Sequence, residues 1–199
     1  MSLFTKRLPA TWKDLHGLPC TSGMLAVIWL MFGVELFAHA PGNAVMLARL
    51  GALTTAGVAH GEYWRLLSYA LLHSGWWHIA LNTILLLIAG PVVERTLGVR
   101  STLAISLLGA VLGGVAILFA HYGDPILLEV GASGAFFALL GAALGMTWRR
   151  PAADAARTYR RLRTVLLIGV AISFAPGVSM AAHLAGLAIG GVYALVMRR

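Results

Sequence analysis

A serine flanked by glycines and a histidine on a later apolar segment are the residues of this chain best suited to hydrolytic chemistry. Ser133 stands in the run Gly131-Ala132-Ser133-Gly134 and begins an apolar, small-residue segment, and His183 lies at a matching place on a later one. A serine hydroxyl is a weak nucleophile until a base takes its proton, and a neutral histidine can take it and later protonate a leaving amine. The pair predicts nucleophilic catalysis, with Ser133 as nucleophile and His183 as general base and acid.

An earlier apolar segment carries two polar residues that could stabilise a tetrahedral intermediate. His78 and Asn82 are four residues apart and therefore share one face of a helix. Their side chains, with the backbone N–H of Ser133, could donate to the oxyanion. Gly131 and Gly134 would free the turn around the serine from steric limits. The alternative is that His78 and Asn82 form interhelical hydrogen bonds without a catalytic role.

A carboxylate that would orient the histidine is not evident, so a Ser-His dyad is the simplest interpretation. A metal site built from His73, His78 and His183 is conceivable, but it lacks carboxylate or cysteine partners. The single cysteine, Cys20, excludes a disulfide within the chain and a cysteine-based metal site. We therefore expect neither a metal nor a cofactor.

The composition indicates an integral membrane protein. Of the 199 residues, 59% are hydrophobic and 11% charged, and the mean hydropathy is +0.84. A soluble domain averages about 45–50% apolar and about 25% charged residues. We expect a short cytoplasmic segment over residues 1–20 and a single membrane domain over residues 21–199. No cleavable signal peptide is evident, so the first apolar run should remain as a membrane span.

Six apolar segments approach the length of about 17–25 residues that crosses a bilayer. Their approximate bounds are 24–40, 76–93, 103–120, 133–148, 165–175 and 178–197. The fourth and fifth are short, which is tolerable where a helix end is buried among other helices. The pattern predicts an all-α, polytopic bundle of six transmembrane helices.

Two connections differ in character. The long one, Pro41 to Leu72, is rich in Leu, Trp and Tyr, and we expect it to lie partly in the membrane interface as short amphipathic pieces. The other, Pro151 to Arg163, is strongly basic, and we expect a solvated loop there.

The basic residues predict the orientation. Of the 15 Lys and Arg residues, all except Arg49 and Arg65 fall on one side of the six-span arrangement. The positive-inside rule makes that side cytoplasmic, so both termini are expected in the cytoplasm. The net charge of +8 is then a topology signal that also suits anionic lipid headgroups, and nucleic-acid binding is not indicated.

The candidate residues share a predicted depth. Ser133, His183 and His78 each lie 16 residues before the charged cytoplasmic end of their segment. At 1.5 Å per residue, each is about 24 Å above that boundary, in a hydrocarbon core about 30 Å thick. Polar groups at such depth are costly unless they pair or line a wet cavity, so an outward-opening cavity is expected.

Glycine stripes offer a reason for the fourth and sixth segments to meet. The stripes are Ser133, Phe137, Gly141 and Gly145 on the fourth segment and His183, Gly186 and Gly190 on the sixth. Small residues at this spacing let two membrane helices approach closely. Packing the stripes together would bring Ser133 and His183 to the same end of the interface.

These motifs together resemble the rhomboid intramembrane serine proteases, in particular their compact six-span bacterial form. The resemblance covers about Glu62 to Gly191. Its motifs are Trp64-Arg65, His73-x4-His78-x3-Asn82, Gly131-x-Ser133-Gly134 and Ala182-His183-x2-Gly186-x3-Gly190.

The resemblance implies Ser133 as nucleophile, His183 as base, and His78 and Asn82 on the oxyanion side. It also implies a bacterial inner-membrane protease that cleaves single-span membrane proteins near the outer face, with lipids and substrates as its partners. Two positions depart from the family pattern. Phe137 stands where tyrosine is frequent, and its ring can stack on His183 but cannot donate a hydrogen bond. Glu94 is followed at once by arginine rather than two residues later.

Three alternatives stay open. Rhombosortases are similarly short and process exported proteins with a C-terminal membrane tag. A non-catalytic rhomboid-like protein would bind membrane clients, although such relatives typically lose the serine or histidine. A channel or transporter would be expected to carry ionisable residues through its span interiors, whereas Glu35 is the only intramembrane acid here. The sequence leaves the oligomeric state open.

Overall fold

The computed structural model describes residues 15–148 and 153–197, and the chain there is mostly helical. The helices are α1 Pro19–Phe37, α2 Ala44–Leu50, α3 Thr55–Ala59, α4 Arg65–Ser68, α5 Trp76–Ala120, α6 Ser133–Trp148, α7 Ala153–Ile172 and α8 Met180–Val196. A 3-10 turn, Tyr69–Leu71, follows α4, and two short strands are β1 Leu53–Thr54 and β2 Leu128–Glu129. Most of the expected cytoplasmic segment 1–20 and the basic residues Arg149, Arg150, Arg198 and Arg199 lie outside the described residues.

Two of the described helices, α1 and α5, are long and apolar enough to cross a membrane, and α6 and α8 are shorter apolar helices. Helix α5 contains both the second and the third expected spans. Its two arms meet at Gly98, which has a φ of 81° and a ψ of 174°. Positive φ is readily adopted only by glycine, so this residue allows the chain to leave helical geometry between the arms.

Helix α6 is the most buried helix and packs against both α5 and α8. Its contact with α8 is so close that no side chain would fit at two glycines of α8. A Cβ atom at Gly186 would collide with the carbonyl oxygen of Gly134, and one at Gly190 would collide with that of Ala138. The expected meeting of these two helices is confirmed, but the register differs from the predicted one: Gly186 and Gly190 face Gly134 and Ala138, and Gly141 of the predicted stripe faces Leu187.

Two buried carboxylates fasten α1 to the rest of the bundle. Glu94, in the first arm of α5, accepts hydrogen bonds of 2.8 Å from the backbone nitrogens of Cys20 and Thr21, and one of 2.6 Å from Thr21 Oγ1. An anion at a helix N-terminus satisfies free N–H groups and complements the helix dipole. At the other end of α1, both oxygens of Glu35 accept from the backbone nitrogen of His73, at 3.1 and 3.0 Å.

The long connection before α5 folds into short helices, as expected. Arg65 organises it by donating from Nη1 to the carbonyl oxygens of Ala48 and Ala52, both at 2.8 Å, and its Nε bonds Glu62. Its guanidinium also lies 4.6 Å from the centre of the Trp64 ring. Trp64 and Arg65 therefore hold the connection together.

Strand β1 ties this connection to the chain just before α6. The strands pair antiparallel, with Leu53 opposite Glu129 and Thr54 opposite Leu128. This pairing is not predictable from the sequence pattern, because two-residue strands are too short to show a periodicity. It fixes the position of the segment that leads into Ser133.

The expectation of a solvated loop over residues 151–163 is wrong from Ala153 onward, because α7 begins there. Alanine, arginine and leucine are strong helix formers, and the charge of the arginines indicates solvent contact but does not distinguish a loop from a solvated helix. The turn-by-turn pattern is amphipathic: Ala155 and Leu162 are buried, whereas Arg157 and Arg161 are exposed.

The α6–α8 contact predicts different effects on stability for alanine substitutions at two adjacent glycines. Gly190→Ala should lower the free energy of unfolding by about 1–3 kcal/mol, because the new Cβ would force the helices apart. Gly191→Ala is the matched control, since a Cβ there meets no atom within 4 Å, and alanine favours a helix over glycine by about 1 kcal/mol. Denaturation in detergent micelles measures both; equal stability of the two variants would contradict the close contact.

Candidate active site

Four of the polar residues singled out by sequence, Ser133, His183, His78 and Asn82, line one cavity of about 620 Å³. It lies where the N-terminal ends of three helices converge: His78 is near the start of α5, Ser133 begins α6, and His183 is in the first turn of α8. The cavity-lining residues from the sequence motifs are His78, Asn82, Gly131, Ser133, Phe137 and His183. The expected convergence of these segments is therefore present.

Gly131 shapes the chain before the serine. Its φ is +127°, and its backbone nitrogen donates to the carbonyl oxygen of Tyr69 at 2.9 Å. A Cβ at this position would lie 2.5 Å from Nε2 of His78. The glycine thus permits both an unusual backbone angle and direct approach of the chain to the imidazole.

The structure requires a glycine at position 134 for a different reason from the one expected. It lies inside α6 rather than in the turn, so no left-handed conformation is needed there. A Cβ at Gly134 would lie 3.1 Å from the carbonyl oxygen of Gly109, in the second arm of α5. The missing side chain serves close helix packing on this side, and Gly186 meets Gly134 from α8.

The imidazole of His183 is held on one face and on one edge. The Phe137 ring stacks on it, with ring centres 4.0 Å apart and planes 9° from parallel, as the sequence suggested. Its Nδ1 lies 2.6 Å from Oγ of Ser173, which follows directly after α7. Both His183 and Ser173 are only 5% exposed.

Ser173 is a residue of the site that the sequence analysis did not identify. Its only signal is a hydroxyl ten residues before the histidine, at the end of the fifth apolar segment, which alone is weak. One turn earlier, position 169 needs a glycine, because a Cβ there would lie 2.6 Å from the tip of the Phe137 ring. Helix α7 thus borders the site through both residues.

On the opposite wall, His78 and Asn82 differ in their partners. His78 Nδ1 lies 3.1 Å from Oγ of Ser74. Asn82 is 3% exposed, and its Nδ2 has no hydrogen-bond partner among the described residues. A buried amide donor without a partner is costly, so this group is available to an acceptor that enters the cavity.

His73 lies outside the cavity lining, behind His78. The two rings meet edge to face with centres 5.2 Å apart. Burial, and secondarily the neighbouring His78, lowers the pKa of His73 to about 3, so it is neutral at physiological pH. Within the described chain, no group of three or more His, Cys, Asp or Glu side chains is arranged to hold a metal ion.

A carboxyl group that the sequence did not assign also lines the cavity. Glu129 lies in β2, and burial raises its pKa to about 7, with His121 opposing that shift. The rise follows from desolvation of the charged form.

Comparison with known proteins identifies the family to which the chain belongs. The Rhomboid domain family matches residues 60–199. The chain is 33% identical over 168 residues to YdcA of Bacillus subtilis (strain 168), covering 83% of this chain and 80% of YdcA. It is 32% identical over 172 residues to the rhomboid protease GluP of the same organism, covering 85% of this chain but 33% of GluP. With RHOMBOID-like protein 5 of Arabidopsis thaliana it is 34% identical over 148 residues, 72% of this chain and 47% of that protein.

The family match spans most of the chain and includes α5, α6 and α8, whose ends form the cavity. YdcA is matched over most of its own length, whereas the chain spans about a third of GluP and about half of RHOMBOID-like protein 5. The chain therefore belongs to the rhomboid family and is an integral membrane protein and hydrolase, an intramembrane serine protease of the rhomboid type.

Proposed function

We propose that this protein cleaves single-span membrane proteins near the outer face of the bilayer, using Ser133 and His183 as a catalytic dyad. The observation that carries the proposal is the shared cavity, which collects Ser133, His183, His78 and Asn82 from three helices. Phe137 stacks on the histidine in the same place. No other arrangement of nucleophile and base was indicated by the sequence.

The reaction needs only groups already in the cavity. His183 takes the proton of Ser133 Oγ while that oxygen bonds to the scissile carbonyl carbon. The C–N bond then breaks as His183 gives the proton to the leaving amine, and an acyl-enzyme remains. Water attacks the ester with His183 again as base, and Ser133 regains its proton as the carboxyl product leaves.

The oxyanion formed in each step needs donors that are in place beforehand. Asn82 Nδ2 is buried and has no partner in the described part of the chain, which suits this role. His78 contributes its ring, which Gly131 allows to lie against the chain before the serine. The backbone N–H of Ser133 is free for the same use, because the first N–H groups of a helix lack intrahelical partners.

The walls of the cavity support a membrane-embedded peptide as substrate. Apart from the polar site, the lining is largely apolar, and it includes the exposed side chains of Trp76 and Trp77. Tryptophan is frequent at membrane–water interfaces. A substrate helix that unwinds near the outer surface could place an extended backbone segment against Ser133 while the remainder stays in lipid.

For the architecture, we propose six spans with both termini in the cytoplasm of a bacterial inner membrane. The exposed basic face of α7 supports this orientation under the positive-inside rule. We also propose a single membrane domain over residues 21–199, after a short cytoplasmic segment 1–20. Support comes from the hydrogen bonds of Glu35 and Glu94, which link α1, before the start of the family match at residue 60, to parts of the chain after it.

Ser133→Ala should abolish cleavage of a model single-span substrate in proteoliposomes, with a fall of about 10⁴-fold or more, because the nucleophile is lost. His183→Ala should do the same, and a fluorophosphonate probe should label the protein only when both residues are present. Thermal unfolding checks that the variants are folded. Cleavage by folded Ser133→Ala at the normal rate would refute the dyad.

Gly131→Ala tests the oxyanion side. The new Cβ would displace the His78 ring, so kcat should fall about 10²-fold, as expected on loss of an oxyanion donor. Gly123→Ala is the matched control: that glycine also has a positive φ, of +85°, but a Cβ there meets no atom within 4 Å. Backbone strain alone would affect both variants; unchanged cleavage by folded Gly131→Ala would exclude His78 from the chemistry.

The orientation is testable with single cysteines in a Cys20→Ser background. Tyr122 follows α5 and is 92% exposed, and Arg157 is exposed on α7. A membrane-impermeant maleimide should label Tyr122→Cys in spheroplasts, and Arg157→Cys only after the membrane is opened. The reverse pattern would invert the proposed topology.

A further inference from the structure

We propose that Ser173 is a positioning residue that fixes the tautomer of His183, so that Nδ1 carries the proton and Nε2 is free to act as base. The inference rests on the proposed dyad for its catalytic meaning. Its geometric basis is the 2.6 Å contact between Ser173 Oγ and His183 Nδ1, which is buried between α7 and α8.

The hydroxyl proton of Ser173 is already committed elsewhere. Ser173 Oγ lies 2.8 Å from the carbonyl oxygen of Gly169. A carbonyl oxygen can only accept, so the proton in that contact must come from the serine. With its one proton in that contact, the hydroxyl accepts from the imidazole, and on this basis we assign the hydrogen between Ser173 and His183 to Nδ1.

A neutral imidazole carries one proton, so protonation at Nδ1 leaves Nε2 with a lone pair. A general base for a serine needs such an unprotonated nitrogen. When His183 takes up the proton of Ser133, both nitrogens become donors, and Nδ1 keeps the same acceptor. The bond therefore serves the neutral and the charged form of the ring.

Ser173 is itself held in place firmly enough to orient a partner. Its backbone nitrogen and its hydroxyl both donate to Gly169, the former at 3.0 Å. Burial of Ser173 and His183 excludes competition from bulk water at Nδ1. The Phe137 ring restrains the imidazole face, and Ser173 restrains rotation of its edge.

A hydroxyl is a suitable acceptor at this depth. A carboxylate, the usual third member of a serine protease triad, would add a buried charge that is expensive in a membrane. A serine bonded to a backbone carbonyl supplies the tautomer selection without that charge. The sequence shows no acidic residue suited to be the third member, and this arrangement removes the need for one.

The test compares two side chains of nearly equal shape at one position. Ser173→Thr retains the hydroxyl, whereas Ser173→Val replaces it with a methyl group. We expect kcat of Ser173→Val to fall about 10- to 100-fold with KM little changed, since hydrogen bonds to charged groups contribute about 1.5–3 kcal/mol. Ser173→Thr should stay within about threefold of wild type, and Ser173→Ala, which adds no bulk, should behave like valine.

Thr164→Val is the control on the same helix. Thr164 Oγ1 also donates to the carbonyl four residues earlier, Arg160, at 3.1 Å, but it is exposed and far along α7 from the histidine. Its replacement should leave kcat unchanged. A fall equal to that of Ser173→Val would show that the loss reflects helix structure, and would overturn the proposal.

A second readout does not depend on cleavage. ¹⁵N spectra of histidine-labelled protein in micelles report the tautomer, and the His183 signals are assigned by their loss in His183→Gln. Wild type and Ser173→Thr should show Nδ1–H, and Ser173→Ala should show a gain of the Nε2–H form.

The two proposals fail separately. Identical tautomers in wild type and Ser173→Ala, or equal kcat for the valine and threonine variants, would overturn the role of Ser173. Activity of Ser133→Ala would instead overturn the dyad, while the tautomer spectra would still report whether Ser173 holds the ring.

Discussion

The backbone contact between α6 and α8 is the constraint on which the site depends. Inside lipid, helices gain little from burying apolar surface, so close van der Waals packing must hold them together. Gly186 and Gly190 allow α8 to touch the carbonyl oxygens of Gly134 and Ala138 directly. Such contact permits one register only, because a shifted helix would present side chains to those oxygens. That register puts the start of α6 beside the first turn of α8, which brings together Ser133 and His183, the proposed nucleophile and base.

Polar bonds fix the elements that glycine packing does not reach. Helix α1 is fastened at its two ends by the buried carboxylates of Glu94 and Glu35, each of which accepts from backbone N–H groups. Buried acids are tolerated where hydrogen bonds replace water. Arg65 and the β1–β2 pairing hold the connection before α5 against the chain leading to Ser133. The cavity thus lies in a frame that hydrogen bonds fasten at both ends of α1 and along the connection before α5, and that close packing holds between α6 and α8.

The sequence could predict the parts of this arrangement that follow from helix periodicity. The four-residue spacings placed His78 with Asn82, and the glycine stripes indicated which helices meet. Ser173 could not be found in this way, because its contact depends on where the end of α7 lies relative to α8. The prediction of a loop at the beginning of α7 was wrong for a related reason. Arg157 and Arg161 indicate that this part of the chain contacts solvent, but they do not show whether it is helical. Features that follow from local periodicity could be predicted, whereas features that depend on how helices are placed relative to one another could not.

These contacts show how His183 can be oriented although Phe137 stands where tyrosine is frequent in the family. A phenyl ring stacked at 4.0 Å restrains the His183 plane by dispersion and shape, but it has no hydroxyl with which to bond the site. Polar orientation of the ring must then come from its edge, and Ser173 lies there at 2.6 Å. The two restraints act in perpendicular directions: stacking limits tilting of the ring plane, and the hydrogen bond limits rotation within it. Neither alone would hold a single nitrogen toward the proposed nucleophile, Ser133. Gly169 supports both restraints, because it leaves room for the phenyl ring and its carbonyl oxygen accepts from Ser173.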